Sequence, residues 1–188
     1  YAFLFNEYIG NKYVYLPELS LRYTGQKTFQ FDNSHKTIAL YLGGENKEFR
    51  KYPDEYAVQL LRLLNRQGYN LLLIGDENDN IKHTQYAEEA RIDHLINLTA
   101  RTTIEGFINT IANVDLIITI DSSALHIAAA VKTPFIALMG LSTSPTSTIL
   151  PKVPLGRILK IENNLIREED YIRNITPDLI LKTISELI

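Results

Sequence analysis

Short apolar runs alternate with helical segments from residue 37 onward, and no other feature of the sequence restricts the fold as much. Runs such as "TIALYL", "NLLLIG" and "LIITI" favour strands, and each is followed by a segment in which apolar residues recur at helical spacing. The run "LIITI" lacks polar alternation, as expected of a strand that is covered on both faces. Strands that alternate with helices predict an α/β fold with a doubly wound parallel sheet.

Turn and cap residues indicate where these elements begin and end. The helix "PDEYAVQLLRLLNRQG" has Pro53 in its first turn and Gly68 at its end, and the closing helix "TPDLILKTISELI" has Thr176 as its cap. Further strands are predicted over "LINL", "PFIALMG" and "GRILKI", and helices over "IKHTQYAEEAR", "SALHIAAAV" and "TTIEGFINTIANV". In the last of these helices we expect four side chains to face inward, namely Ile104, Phe107, Ile108 and Ile111.

Two regions differ in composition. Residues 1–35 are crowded with Tyr and Phe and show no long helical period, whereas residues 36–188 carry the alternation of strands and helices. Aromatic side chains at this density are rarely left in water. The first region is therefore either an arm that packs on the core or a joint that contacts another domain, and the sequence leaves both open.

Composition narrows the classes of function. The 188 residues carry a net charge of -3, with 45% hydrophobic and 22% charged residues, which is typical of a soluble globular protein. No basic surplus indicates a nucleic-acid partner, and no apolar run is long enough for a transmembrane helix. The absence of cysteine excludes disulfides and fits a cytoplasmic location. Because the chain begins at Tyr1 without Met, we expect it to be part of a longer protein.

Several common motifs are absent. The sequence contains neither the Gly-x-x-x-x-Gly-Lys-Ser/Thr of P-loop proteins nor a Gly-x-Gly-x-x-Gly between the first strand and its helix. Its histidines do not stand at metal-ligand spacing, and no metal site is predicted.

A polar cluster stands where a predicted strand meets an alanine-rich helix. In "TIDSSALHIAAAV" this cluster consists of Asp121, Ser122, Ser123 and His126. In a doubly wound sheet, ligands lie beyond the carboxyl ends of the strands, near helix N-termini that attract anions. A carboxylate repels phosphate, so Asp121 is a candidate for sugar hydroxyls or a cap, and either serine could simply cap the helix. Together these residue types predict a site for a phosphorylated sugar.

The residues around Asp121 also match a known family. "DSSALHIAAAVKTPFIALMG" resembles the Asp-Ser/Thr-Gly-x-x-His signature, with its following alanines and Pro-x-x-Ala-Leu-x-Gly, of the lipopolysaccharide heptosyltransferases, glycosyltransferase family nine. "IALYLGGENKEFRKYP" is similar to the first strand of the family's second domain, its Gly-rich turn and a basic residue three before a proline, here Arg50 and Pro53. The segments "LINLTARTTIEGFINTIANVDLIITIDSS" and "NITPDLILKTI" are similar too, so the resemblance spans roughly residues 37–188.

The resemblance implies a Rossmann-like domain that forms the C-terminal half of a two-domain GT-B glycosyltransferase. Such a domain holds a nucleotide-activated sugar, typically ADP-heptose. The resemblance implies that Asp121 contacts the donor sugar, that Ser122 and Ser123 offer hydroxyl and N–H groups to the diphosphate, and that Arg50 counters the phosphate charge.

The same resemblance implies further contacts around the nucleotide. His126 completes the pocket, and Thr102 aligns near a position that lines the nucleotide. Glu77 or Asp79, after the strand "NLLLIG", is a candidate for the ribose hydroxyls.

A glycosyltransferase also needs a base for the acceptor hydroxyl and positive charge for the departing nucleoside diphosphate. Arg50 and the helix start can supply the charge without a metal or other cofactor. In the resembling family the base belongs to an N-terminal domain that receives the glycan or glycolipid acceptor, so we expect this chain to be inactive alone. Peripheral attachment of the whole protein to the inner membrane is compatible with such an acceptor.

The sequence departs from the family pattern at two candidate site positions, and two alternatives to the transferase remain open. Ser123 replaces the family's glycine, and Arg50 replaces its lysine. A nucleotide-sugar epimerase of the same fold is one alternative, although no paired carboxylates near Asp121 support it. A non-catalytic nucleotide-binding or scaffold domain is the other.

Overall fold

The computed structural model describes residues 21–43, 51–140, 151, 154–160 and 168–188. Within these ranges, six parallel strands form one sheet in the order β3-β2-β1-β4-β5-β6. The strands are β1 (Thr37–Tyr41), β2 (Asn70–Leu73), β3 (Leu95–Asn97), β4 (Leu116–Ile120), β5 (Phe135–Leu138) and β6 (Gly156–Leu159). The helices are α1 (Asp54–Arg66), α2 (Asn80–Ala90), α3 (Ile104–Ala112), α4 (Ser123–Val131) and α5 (Pro177–Ile184), with 3-10 turns at Glu77–Asp79 and Glu168–Asn174.

The two central strands, β1 and β4, are buried along their whole length. Their apolar runs allow helices to cover both faces of the sheet, which is the arrangement predicted from the alternation of strands and helices. The strand order reverses between β1 and β4, because the chain moves outward from β1 to β3 and then returns to the other side of β1. Such a reversal opens a crevice at the carboxyl ends of the strands.

Most element limits follow the sequence signals. Helix α4 covers the predicted "SALHIAAAV" residue for residue. Helix α5 begins at Pro177, and the Thr176 hydroxyl caps it by accepting a hydrogen bond from the Leu179 N–H at 3.3 Å. Residues 141–150, 152 and 153, between β5 and β6, lie outside the described residues.

One prediction about the core is wrong. Ile104 is 82% exposed, whereas Ile111 on the same helix is fully buried and Phe107 and Ile108 are half-buried. Ile104 is the first residue of α3, at the carboxyl edge of the sheet, where the helix borders an open cavity. Helical spacing gives the face of a helix but not the point at which that face leaves the core.

The described part of the aromatic arm lies against α3 and the core. Asn109 donates a hydrogen bond to the Thr24 hydroxyl at 2.9 Å and accepts one from the Gly25 N–H at 3.0 Å. The rings of Phe29 and Phe31 meet each other edge to face, with centroids 5.9 Å apart, and both pack against the core. Residues 1–20 lie outside the described residues, so contact of the arm with another domain stays a prediction.

Candidate functional site

A cavity of about 490 Å³ lies at the carboxyl edge of the sheet, where the strand order reverses. Each of the strands β1 to β4 or the segment that follows it contributes to the wall, together with the first turns of α3 and α4. The lining residues are Tyr41, Gly75, Asp76, Glu77, Ala100, Thr102, Thr103, Ile104, Phe107, Ser123 and Ile127. This is the position in which a doubly wound sheet is expected to hold a ligand.

Part of the cavity lining is apolar. Ile104, Phe107 and Ile127 line it, and the ring of Phe107 meets that of Tyr41 edge to face with centroids 6.3 Å apart. Exposure of a side chain as apolar as Ile104 is costly unless something covers it. A slot of this kind suits the flat face of a nucleobase.

Another part of the lining is polar. Glu77, Thr102 and Ser123 line it, so the cavity brings together three of the residues singled out from the sequence. They come from three different segments, which follow β2, β3 and β4. A carboxylate, two hydroxyls and a helix start beside an apolar slot can bind a ligand with an apolar ring and polar substituents.

The start of α4 is not capped by the residue that precedes it. Ser122 has an extended backbone, but its hydroxyl lies 2.9 Å from Thr119 Oγ1 and makes no capping hydrogen bond. Either hydroxyl can be the donor of this hydrogen bond, and Thr119 can alternatively donate to the Ile120 carbonyl at 3.0 Å. The Ser122 side chain therefore leaves the first N–H groups of α4 to other acceptors, as an anion site requires.

Asp121 and His126 flank this helix start. Both are half-buried, Asp121 at the end of β4 and His126 in the second turn of α4. Neither residue lines the cavity. Ser123, at the same end of α4, does line it. Of the four clustered residues, only Ser123 lines the cavity, and the other three lie just before it in the sequence or one turn along α4.

The structure separates the two acidic candidates after β2. Glu77 is exposed and lines the cavity. Asp79 is only 4% exposed, accepts a hydrogen bond from the Asp76 N–H at 3.3 Å and completes a capping box. Its carboxylate fills the space beside Gly43, where an added Cβ would lie 1.6 Å from the Asp79 Oδ1 atom. Glu77 is therefore placed to meet a ligand, whereas Asp79 supports the turn beneath it.

Arg50 lies outside the described residues. Tyr52, two residues later, is buried and donates a hydrogen bond from its hydroxyl to the Ile175 carbonyl at 2.9 Å. Burial, together with the nearby Tyr56 and Asp178, raises the pKa of the Tyr52 phenol above its usual value. The phenol stays neutral and anchors the chain just after the segment that carries Arg50.

Several lining residues were missed by reasoning from the sequence. Tyr41 and Phe107 were assigned only to elements of the core, and Ala100 was not singled out. Ala100 has a positive φ of 59°, which an alanine seldom adopts. The sequence did contain one signal for this part of the lining, namely Thr103 as a helix cap. Its hydroxyl accepts a hydrogen bond from the Gly106 N–H at 3.1 Å, so Ile104 is the first residue of α3 and lies beside the cavity.

Two further features concern metals and membranes. Among the described residues, no three His, Cys, Asp or Glu side chains gather closely enough to hold a metal ion. Over the same ranges, no helix combines the length and apolar character that crossing a bilayer needs.

Comparison with known proteins agrees with this geometry. The family model of glycosyltransferase family 9 (heptosyltransferase) matches residues 1–169, and so includes the aromatic arm that the sequence motifs left out. Lipooligosaccharide heptosyltransferase 2 of Haemophilus influenzae is 31% identical over 158 residues, which cover 78% of this chain and 45% of that protein.

Solved structures show the same fold. The ADP-heptose LPS heptosyltransferase II of E. coli superposes with a TM-score of 0.69 at 23% identity, over 81% of this chain and 46% of that one. A family 9 glycosyltransferase from Veillonella parvula gives a TM-score of 0.71 at 20% identity, again over 81% and 46%. This chain spans less than half the length of these relatives. With the family model matched over most of its residues, the chain belongs to glycosyltransferase family 9, the heptosyltransferases.

Proposed function

We propose that this chain is the donor-binding half of a glycosyltransferase and that it binds a nucleoside diphosphate sugar such as ADP-heptose. The observation that carries the proposal is the cavity at the strand reversal, in which apolar side chains, an exposed carboxylate and a helix start that Ser122 does not cap converge. The E. coli relative is by its name an ADP-heptose enzyme, which supports the choice of donor.

In this proposal each wall recognises a different part of the donor. The base stacks in the slot beside Ile104 and Phe107, and the Glu77 carboxylate accepts hydrogen bonds from the ribose hydroxyls. Thr102 lines the nucleotide between them. The exposed Glu77 can take this role without losing a structural contact, unlike the buried Asp79.

The diphosphate lies at the start of α4. Its oxygens accept hydrogen bonds from N–H groups and hydroxyls of Ser122 and Ser123, and the positive end of the helix dipole and Arg50 offset its charge. Asp121 accepts hydrogen bonds from the sugar hydroxyls, and His126 closes the pocket beside it.

The proposed reaction transfers the sugar to a hydroxyl of a lipopolysaccharide or related glycan. The helix start and Arg50 stabilise the charge that develops on the departing nucleoside diphosphate, a role that needs no metal ion. The general base and the acceptor site belong to a second domain outside this chain. The whole protein works in the cytoplasm, and an acceptor anchored in lipid would bring it to the inner membrane surface.

Ligand binding to the purified chain tests the proposal. We expect ADP and ADP-heptose to raise the melting temperature, with about 2.7 kcal/mol of added stability at 100 times the dissociation constant. UDP and GDP serve as controls for the base, and pyrophosphate as a control for simple anion binding. If no nucleoside diphosphate raises the melting temperature at millimolar concentration, the chain is not a donor-binding domain.

Products formed by a full-length protein that contains this chain separate the chemical outcomes. Transfer of the sugar to a glycan supports the proposal. Conversion of one nucleotide sugar into another would instead identify an epimerase, and binding without turnover a scaffold.

A further inference from the structure

His83 is a buried histidine that contacts the turn after β3, which lines the cavity. His83 in α2 has no exposed surface, and its Nδ1 lies 2.8 Å from the Thr99 hydroxyl, which is also buried. Its Nε2 has no hydrogen-bond partner among the residues that the structure describes. The ring stacks at a tilt near Tyr86, with centroids 5.8 Å apart. Burial of a polar ring with one unpaired nitrogen costs free energy of folding. The hydrogen bond between His83 and Thr99 is the polar contact that the ring makes in return.

Thr99 belongs to the turn that supplies one wall of the cavity. The turn follows β3, and its residues Ala100 and Thr102 line the cavity. Ala100 N–H donates to the Gly75 carbonyl at 3.1 Å, and Gly75 lines the cavity as well. Ala100 itself has a φ of 59°, in the left-handed region that costs an alanine free energy, so surrounding contacts must hold it there.

Two local hydrogen bonds help to shape this turn, from the Thr99 N–H to Asn97 Oδ1 and from the Arg101 N–H to the Leu98 carbonyl, both at 3.0 Å. Further hydrogen bonds tie the turn to its neighbours. Backbone hydrogen bonds tie it to the end of β2, from Leu98 to Leu73 at 2.8 Å and from Ala100 to Gly75. The hydrogen bond between His83 and Thr99 ties it to α2. The backbone hydrogen bonds therefore position the turn relative to β2, and the side-chain hydrogen bond positions it relative to α2.

We infer that His83 is a positioning residue for the nucleotide pocket, acting through Thr99 to hold the turn that carries Ala100 and Thr102. The inference rests on the proposed function, because it takes the cavity as the nucleotide site. His83 does not touch the ligand. It keeps the turn after β3 in the conformation that binds the ligand, so that binding does not have to order this turn.

The chain offers a matched pair of variants. Thr99→Val removes the hydroxyl and keeps the shape of the side chain. Thr133→Val is the control, since Thr133 is 4% exposed and donates to the Ile111 carbonyl at 2.8 Å, away from the cavity lining. Thr99→Ser keeps the hydroxyl and should restore the wild-type behaviour. His83→Leu tests the other end of the bond, and Thr99→Val remains informative if that variant does not fold.

Two measurements decide the inference. Amide hydrogen exchange without ligand should become faster at residues 98–103 in Thr99→Val, and not in Thr133→Val or Thr99→Ser. Calorimetric titration with ADP should show an affinity loss of about threefold to tenfold for Thr99→Val and less than about twofold for the control, the range expected for one hydrogen bond.

Unchanged exchange at residues 98–103 in Thr99→Val would overturn the inference, and so would equal affinity losses in both valine variants. The exchange measurement needs no ligand, so it decides the positioning role even if wild-type protein fails to bind ADP. That last outcome would count against the proposed function alone.

Discussion

The Ser122 hydroxyl lies 2.9 Å from Thr119 Oγ1, turned back toward strand β4 and away from the helix that it precedes. A serine at this position usually caps its helix, as Thr176 does for α5. Here the side chain of Ser122 instead leaves the first N–H groups of α4 for another acceptor. The two residues, one at each helix start, therefore give opposite expectations for the same kind of substitution.

Thr176→Ala should lower the free energy of unfolding by about 0.5–2 kcal/mol and leave ADP affinity unchanged, because it removes a cap remote from the cavity. Ser122→Ala should weaken ADP binding by about threefold to tenfold, because it removes a hydroxyl at the proposed diphosphate site. Chemical denaturation and calorimetry on both variants check this. Unchanged ADP affinity in Ser122→Ala would remove that hydroxyl from the site.

Asp121 should distinguish the sugar from the diphosphate. Asp121→Ala should weaken ADP-heptose but not ADP, because only the former carries the sugar hydroxyls that the carboxylate would bind. Arg50→Ala should weaken both ligands together and reduce the salt dependence of binding, because both ligands carry the diphosphate. Titration of both ligands against both variants gives the result. Equal losses for the two ligands in Asp121→Ala would leave that residue with a structural role only.

Glu77 and Asp79 should respond differently to loss of charge. Glu77→Gln should leave stability nearly unchanged, weaken ADP and reduce the preference for ADP over 2′-deoxy-ADP. Asp79→Ala should instead lower the free energy of unfolding by about 1–3 kcal/mol, because it removes the buried acceptor of the Asp76 N–H. Thermal unfolding and calorimetry separate the two effects. A Glu77→Gln variant that keeps the full preference for the ribose hydroxyl would contradict the ribose contact.

Stability should fall in mild acid because of His83. Burial lowers the pKa of His83 to about 4 despite the nearby Asp76 carboxylate, which acts in the opposite direction. The unfolded chain, with a histidine pKa of about 6.5, therefore binds the proton more readily than the folded chain. The stability contributed by neutral His83 is fully present above about pH 6.5 and is lost as the pH falls toward 4, by roughly 3 kcal/mol.

Urea denaturation between pH 7.5 and 4.5 checks this slope. His83→Leu should flatten the slope, whereas His94→Gln, a change at an exposed histidine, should not. Asp54 acts in a lower pH range. Burial alone would raise its pKa, but hydrogen bonds from Lys82 and Tyr86 lower it overall, so its contribution is lost only in stronger acid. An unchanged slope in His83→Leu would show that another group governs the acid response.

Nucleotide binding should not depend on a metal ion. The described residues offer no cluster of metal ligands, and the proposed site uses Arg50 and the start of α4 as its positive charge. ADP affinity should change by less than about twofold on addition of EDTA, a change below about 0.4 kcal/mol. A large loss that magnesium restores would reveal a metal site.

The sequence predicted the sheet and the starts of its helices better than the surroundings of single side chains. Periodicity and caps located α4 and α5 correctly, because those signals are local and here agree with the tertiary packing. Ile104 failed the same reasoning, since its exposure depends on where α3 passes the edge of the sheet. Glu77 and Asp79 could not be ranked, because only the folded turn shows which carboxylate its own backbone uses.

The division of the cavity between two helices bears on how such a domain can change its donor during evolution. In the proposed binding mode, Ile104 and Phe107 on α3 face the base together with Ile127 of α4, while Ser122 and Ser123 at the start of α4 face the phosphates. A mutation in one helix leaves the other's contacts in place. A lineage can therefore acquire a new base preference by drift in α3 while purifying selection keeps the diphosphate contacts, and a swap of residues 98–108 between relatives should transfer that preference alone.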